Sequence, residues 1–566
     1  MPGITGLFAE DAAASLRRMQ EKLYRSPFVR REAVSRDDFA CLVLTTSGSA
    51  GICERDGMCL VFEGYIFNSE KRGATLREWL LERFMARGAD FVDELNGSFQ
   101  MAIHGRGVTY LFADHTASRR LFYSYGERRF YFSPEVAPIA EMTGALEIDG
   151  ANVVQFLIAG RFFAGQTPLA RIRQLLPGEY LVCDGSGIKL RRYYRFEIPE
   201  PGAHVVADRL DEPQAIEMLK EGLERAVISR WRQADRPTVL LSGGYDSRYI
   251  FHVLVRHLDD TTKLRTIFWG DNLERHGSDA EIARRLARRF GIKPIFIPRL
   301  AEHVPDHFEE AFQAQSGMLE LAFGHADEVP ICRMLAETYD IGSVFRGDEC
   351  FGFYGDAAET RDEALASLSM YFAERVEDSG RWFEEDAREW MAAHTSRMEN
   401  LLSQAPRAPQ SLRDTLYCRE RLPAFHHHLS YHKSHFMEVL NPLLDAEVLR
   451  LWSSLPDAHR VDKYLFKKCY HTEFKEHLDI PFAHQGNMIN WRRVIARSKP
   501  VADYLRHGLE TLPAPLNREF FLEKLDEVRR RAPEAAPAGA DGTARIAPEQ
   551  LVMRAFVLGH ALRQTV

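Results

Sequence analysis

Residues 237–298 constrain the fold of this chain more tightly than any other segment. Pro237 to Leu241 reads as a strand and runs into Ser242-Gly243-Gly244-Tyr245-Asp246-Ser247. After that turn, Ile250, Phe251, Leu254 and Val255 recur at helical spacing. A second strand over Leu264 to Trp269 comes next, then a helix with Ile282, Leu286 and Phe290 four residues apart, then a third strand over Pro294 to Pro298. Strands that alternate with helices pair in parallel, because each crossover carries the chain back over a face of the sheet. The expected fold of this part is therefore α/β, a doubly wound parallel sheet.

On such a sheet a ligand sits beyond the carboxyl ends of the strands, and the turn 242–247 lies at the end of the first one. Gly243 and Gly244 let backbone N–H groups close on an anion, Ser242 and Ser247 add hydroxyls, and the helix behind them presents unpaired N–H groups. Asp246 would repel a phosphate unless a cation stood between them. That makes Asp246 a candidate Mg2+ ligand, with the ion bridging to pyrophosphate oxygens. For the six residues alone, an ordinary glycine turn capped by serine is the alternative. Their place between strand and helix favours phosphate. No GxxxxGK[ST] is present, so a loop that transfers the γ-phosphate is not indicated.

At 566 residues the chain needs more than one core, and two large domains with a tail fit its punctuation. Residues 1–205 read as short strands and turns (Cys59 to Phe62, Phe99 to Ile103, Thr109 to Phe112, Phe130 to Phe132) with a helix near Thr75 to Ala86, an α+β pattern. The polar, proline-containing stretch from Pro199 to Pro213 is the expected linker to a domain over 213–500, largely helical after its third strand. A helical tail over 501–566 contains an Ala, Pro and Gly-rich link near 532–548. The net charge of -8 argues against a nucleic-acid partner, and the eight cysteines include no CxxC pair for zinc or redox chemistry. With no basic and apolar leader and no long apolar run, the expectation is a soluble cytoplasmic protein without membrane contact.

Ser242-Gly-Gly-Tyr-Asp-Ser247 resembles the pyrophosphate loop of asparagine synthetase and its relatives, the N-type ATP pyrophosphatases, whose sheet is HUP-like. Gly347-Asp-Glu-Cys-Phe-Gly352 with Tyr354 is similar to the family's SDExFGGY segment, Met437 to Asp445 to its ExRxPFLD segment, and Asp462-Lys-Tyr-Leu to its lysine-bearing helix. Gly3-Ile with Gly6, Gly64-Tyr-Ile-Phe-Asn68, Leu95-Asn-Gly-Ser-Phe99, Leu121-Phe-Tyr123, Phe132-Ser-Pro-Glu135 and Pro177-Gly178 resemble, in order, the family's class II glutamine amidotransferase domain, an Ntn-hydrolase-like α+β fold. The resemblance implies ATP and Mg2+, with the ion on Asp246 and Asp348. It also implies Arg346 and Lys463 against the phosphates, Leu241 at the adenine, and Ser242, Gly243, Gly244, Asp246, Ser247 and Gly347 around the nucleotide. The implied activity is AMP-forming amide ligation: a small-molecule or peptide carboxylate is adenylated, then attacked by an amine or ammonia. A homodimer is a further expectation.

The pattern breaks in four places. Class II amidotransferases attack glutamine with an amino-terminal cysteine, and that place holds Pro2. The family's Asn-Gly-Glu appears as Glu63-Gly64-Tyr65, which sets a carboxylate against the developing oxyanion. The expected consequence is a chain without its own glutaminase. In the second domain, Phe345 replaces an acidic residue, and 480–487 holds no counterpart of a second catalytic lysine. These losses leave a catalytically weakened nucleotide- or partner-binding member as the alternative. Five histidines, His426, His427, His428, His432 and His435, fall in an expected helix, where His428 and His432 have the spacing of a metal pair. A polar helix, or substrate contact, competes with that reading.

Overall fold

The computed structural model describes residues 2–46, 49–144, 147–184, 186–200, 211–270, 275–347, 355–385, 387–484, 489–530 and 544–565. The amino-terminal part is a sandwich of two six-stranded antiparallel sheets. One is centred on Gly3–Phe8, between Phe39–Thr45 and Arg129–Ser133; the other runs through Met58–Ile66, Gly97–Gly105 and Val108–Ala113. Alternation along these strands sends Ile4, Phe39, Cys41, Val61, Ala102, Leu111 and Phe132 into a shared inner layer. The outer face of the second sheet is covered by helix Gly73–Arg87 through Leu76, Leu80, Leu81 and Phe84.

The second part is a five-stranded sheet in the order Ile295–Pro298, Thr266–Gly270, Pro237–Leu240, Ser343–Phe345, Glu438–Leu440, with every neighbour parallel. Helices Glu212–Trp231, Tyr245–His257 and Asp279–Arg289 pack on one face. The last of these starts sharply because the Ser278 side chain accepts from Glu281 N; acids fill its first turn and arginines its last, as the helix dipole favours. The described residues after 298 are largely helical, as expected, with two short strands among them that the sequence did not show. Ser343–Phe345 and Glu438–Leu440 complete the sheet, and at three residues each they are too short to show an alternating pattern.

The carboxyl-terminal helices Lys499–Glu510, Arg518–Arg530 and Pro548–Thr565 share one apolar cluster with the outer face of the first antiparallel sheet and with Ile267, Ile297 and Val344 of the parallel sheet. Polar contacts join the sandwich to the second part: Arg119 Nη2 donates to Glu438 Oε2 at 2.7 Å, Asn96 to Asp445 at 3.0 Å, and Arg120 to the carbonyls of Ala314 and Gln315 at 2.8 and 2.6 Å. Among the described residues no helix is long and apolar enough to cross a membrane.

Candidate active site

Strand order reverses between Pro237–Leu240 and Ser343–Phe345, which makes their carboxyl ends the switch point where an open α/β sheet opens a crevice. The two chain segments leaving that point are Leu241 to Ser247 and Arg346-Gly347, and they touch. A Cβ built on Gly347 would fall 2.5 Å from Ser247 N and 2.7 Å from the carbonyl carbon of Asp246, so glycine is required for the close approach. Asp348, the expected second carboxylate, lies outside the described residues together with 349–354. Its neighbour Gly347 packs on Asp246. On the far side of that segment, Gly355 N donates to Asp462 Oδ1 at 2.8 Å, beside Lys463.

Lys463 and Asp246, 217 residues apart in sequence, form one pair. Lys463 Nζ donates to both carboxylate oxygens at 3.0 and 3.1 Å, with the lysine 1% and the aspartate 9% exposed. The family resemblance sets the lysine on a helix; the structure puts it just before helix Tyr464–Glu473, in the left-handed region at φ 55, directly after Asp462 at φ 53.

The turn itself is internally bonded. Ser242 Oγ and Ser247 Oγ lie 2.9 Å apart, Gly243 N donates to Asp279 Oδ1 at 3.0 Å, and Gly244 N donates to Ser242 Oγ at 3.3 Å. Gly243 N–H thus already donates to an anionic acceptor. Leu241 is buried, and its N–H continues the sheet to Ile267 O at 3.0 Å.

Sequence reasoning looked at 480–487 only for a missing lysine, yet the described part of that segment folds over the turn. Arg248 donates to the carbonyls of Ile480 and Pro481 at 2.9 and 2.7 Å, Tyr245 stacks on Phe482 at 3.8 Å, and Ala483 N donates to Gly243 O at 3.1 Å. Residues 485–488 lie outside the described residues. The hydrophobic Phe482 and Ala483 were the only local signal for this cover.

Phe345 is buried and faces Trp231 at 5.7 Å between ring centres. Arg346 N donates to Leu440 O at 2.9 Å, and its Nη1 donates to Ser430 Oγ at 2.6 Å. The histidines sit on a π-helix, Tyr417–His426, followed by helix His428–Ser434. His428 packs against Tyr431, while His432 Nε2 lies 3.1 Å from Glu328, which also accepts from Lys433 at 2.7 Å. Burial holds His428 and His432 below the ordinary histidine range, His432 at about 3. Among the described residues no group of three or more His, Cys, Asp or Glu could hold a metal ion.

In the sandwich, Pro2 borders a cavity of about 60 Å3 with Ser98, Thr116, Ser118 and Arg119 from one side and Ser430, Tyr431 and Glu438 from the other; among the described residues no cysteine lines it. Glu63 is fully buried and accepts from Arg119 Nη1, while its other oxygen has no partner. Burial, opposed by Arg119 and reinforced by Glu438, pushes its carboxyl up to about 7.

Residues 218–479 match the family model for asparagine synthase, and residues 39–194 match that for a glutamine amidotransferase domain. No curated protein matches the chain. Among solved structures, the chain is similar to glutamine phosphoribosylpyrophosphate amidotransferase from B. subtilis, complexed with ADP and GMP, at 12% identity and a TM-score of 0.24, over 42% of this chain and 60% of that one. A second, described as the allosteric regulatory enzyme of purine biosynthesis, matches at 11% identity and a TM-score of 0.26, over 52% of this chain and 80% of that one. The chain thus spans about 60% of the first of these structures. With both matches in order on the fold described above, the chain carries an asparagine synthase domain over residues 218–479 and a glutamine amidotransferase domain over residues 39–194 on its amino-terminal side.

Proposed function

We propose that this protein is an ATP-dependent amide ligase that adenylates a carboxylate and passes the acyl group to an amine or ammonia, without hydrolysing glutamine itself. The observation that carries the reading is the contact of Gly347 with the Asp246–Ser247 backbone, which sets the chain leading to Asp348 against the glycine turn. In the first step a carboxylate oxygen attacks the α-phosphorus and the bond to pyrophosphate breaks. In the second, the amine nitrogen attacks the acyl carbon, loses a proton, and AMP leaves.

The turn 242–247 and Gly347 would receive the pyrophosphate, Leu241 would border the adenine, and Arg346 and Lys463 would oppose negative charge on the phosphates. Lys463 fixes the rotamer of Asp246 beforehand. Mg2+ is held by one or two carboxylates together with phosphates, and Asp246 at the switch point suits that role, with Asp348 as its expected companion. When bound, the ion screens Asp246 from pyrophosphate and withdraws charge from the leaving group. We assign residues 1–205 to the amidotransferase domain, 213–500 to the synthetase domain and 501–566 to the helical tail.

Loss of glutaminase is supported by Pro2, which offers no nucleophilic side chain at the cavity, and by the buried carboxyl of Glu63. Phe345, buried where relatives carry an acid, favours one second reading: a nucleotide-binding member of reduced turnover.

Asp246→Ala abolishes carboxylate-dependent exchange of pyrophosphate into ATP if the reading holds; undiminished exchange refutes it. Binding of ATP-Mg2+ by calorimetry without AMP release, across a panel of acids and amines, would select the second reading. Ammonia release from glutamine by the wild-type chain would overturn the glutaminase assignment.

A further inference from the structure

Glu63, Arg119 and Glu438 meet where the sandwich joins the parallel sheet, and all three are buried. Arg119 serves three acceptors at once: Nε donates to Ser98 O at 3.1 Å, Nη1 to Glu63 Oε1, and Nη2 to Glu438 Oε2 at 2.7 Å. Glu438 opens the strand Glu438–Leu440, which lies at the edge of its sheet and, among the described residues, is paired only to Ser343–Phe345. From the sandwich, its carboxylate is held by Arg119 and by Thr46 Oγ1, which donates to Oε1 at 3.0 Å. Two residues further on, Leu440 O accepts from Arg346 N at 2.9 Å.

The charges in this group do not balance. With both glutamates ionised, two buried carboxylates share one guanidinium, and Glu63 Oε2 has no partner. A buried charge in excess is costly, and a proton on Glu63 removes it. Burial, opposed by Arg119 and reinforced by Glu438, holds the Glu63 carboxyl at about 7, so that proton is exchanged near neutral pH. Of the other groups around it, Gln100 stands opposite and is uncharged, burial raises the Cys41 and Cys59 thiols, and burial pushes the His104 imidazole towards its neutral form. Arg119 lies over the Tyr65 ring at 5.8 Å, and the chain's amino group favours the ionised form of Glu63.

We propose that Glu63, Arg119 and Glu438 form a proton-operated joint between the sandwich and the parallel sheet. With Glu63 neutral, the guanidinium answers Glu438 alone and fixes the edge strand. With Glu63 ionised, the guanidinium is shared, and strand Glu438–Leu440 loosens on the sandwich together with its bond to Arg346. An uncharged asparagine stands at this position in the pattern the chain resembles, so the joint arises with Glu63. It requires neither adenylation nor loss of glutaminase. A carboxyl raised in the closed joint binds its proton more tightly there than in the open one, so acid favours the closed form, and opening follows as pH rises through about 7.

Amide hydrogen exchange of the full chain, corrected for the intrinsic effect of pH, reads the joint at Glu438–Leu440. Between about pH 5 and about pH 9, opening of that strand in the wild type should become about tenfold more frequent, matching a tenfold difference in the proton's affinity for the closed and open joints. Glu63→Gln copies the protonated carboxyl in shape and charge, and should keep the slow exchange across the whole range. Infrared spectra give a second reading: a protonated-carboxyl band should titrate near neutral pH in Glu420→Gln, a background chosen because Glu420 is also raised to about 7, and should be missing once Glu63→Gln is added. Equal corrected exchange at both ends of the range in the wild type, a rise that Glu63→Gln retains, or a band that Glu63→Gln leaves in place overturns the proposal. Should Glu63→Gln fail to fold, the wild-type exchange series and the Glu420→Gln spectrum still decide.

Discussion

Replacing Gly347 by alanine tests the geometry on which the site depends. The new Cβ would lie 2.5 Å from Ser247 N, 2.7 Å from Asp246 C and 2.9 Å from Asp246 Cβ, against about 3.5 to 4.0 Å for a comfortable contact. All three neighbours are main chain or the first atom of a side chain, so no rotamer relieves the clash. One segment must retreat by roughly 1 Å. Neither does so easily: Phe345 is paired to Val239 on one side and Leu440 on the other, and the opposing turn is closed by the Ser242–Ser247 bond.

The expected cost is about 1 to 3 kcal/mol of stability from overpacking, seen as a few degrees of lowered melting temperature. Pyrophosphate exchange should fall about 100-fold, the usual penalty for a 1 Å misplacement of reacting groups. Gly380→Ala is the control, because a Cβ there meets nothing within 4 Å. It should melt at or slightly above the wild type and keep full exchange. A Gly347→Ala protein with wild-type melting and exchange would refute the close approach, and with it the shared crevice.

Burial lifts Glu420 to about 7, against about 4.3 in an unfolded chain, so the native state holds a proton that the unfolded state releases between those values. Its contribution is complete below about pH 4.3 and is lost as pH rises through about 7; Glu420→Gln should therefore gain in melting temperature relative to wild type across that window and stay level above it, and parallel curves would sink the assignment. Arg119→Met leaves the buried Glu63 and Glu438 without their shared cation and should cost about 3 to 5 kcal/mol in urea unfolding, recovered largely when both glutamates also become glutamine. Failure of that rescue would mean the arginine acts through packing.

The strand, turn and helix series of 237–298 was legible because each element is long enough to show its period, and because two adjacent glycines mark the turn. The strands at 343–345 and 438–440 were not, since three residues are too few to carry a readable alternation. The histidine run was readable as helical, but the π-turn was not: it depends on Pro423 inside the helix and on how the chain is packed around it. Site residues could be named from resemblance, yet their pairings could not. Asp246 with Lys463 and Arg119 with Glu438 join residues 217 and 319 positions apart, and only the folded topology brings them together. The cover that Phe482 and Ala483 make over the turn was missed for the same reason.

Asp462 and Lys463 are two successive residues with side chains in a backbone conformation that costs about 1 to 2 kcal/mol each for anything but glycine. Left to local preference, both would join helix Tyr464–Glu473 and extend it backwards by half a turn, swinging the ammonium away around the helix axis. Among the described residues Asp462 is tied to Gly355 and to Lys467, and Lys463 to Asp246, so polar contacts on both side chains hold the chain open like a drawn latch. Any event that draws Lys463 from Asp246 removes one of them and shifts the balance towards a longer helix, which makes the start of that helix a gauge of what occupies the crevice.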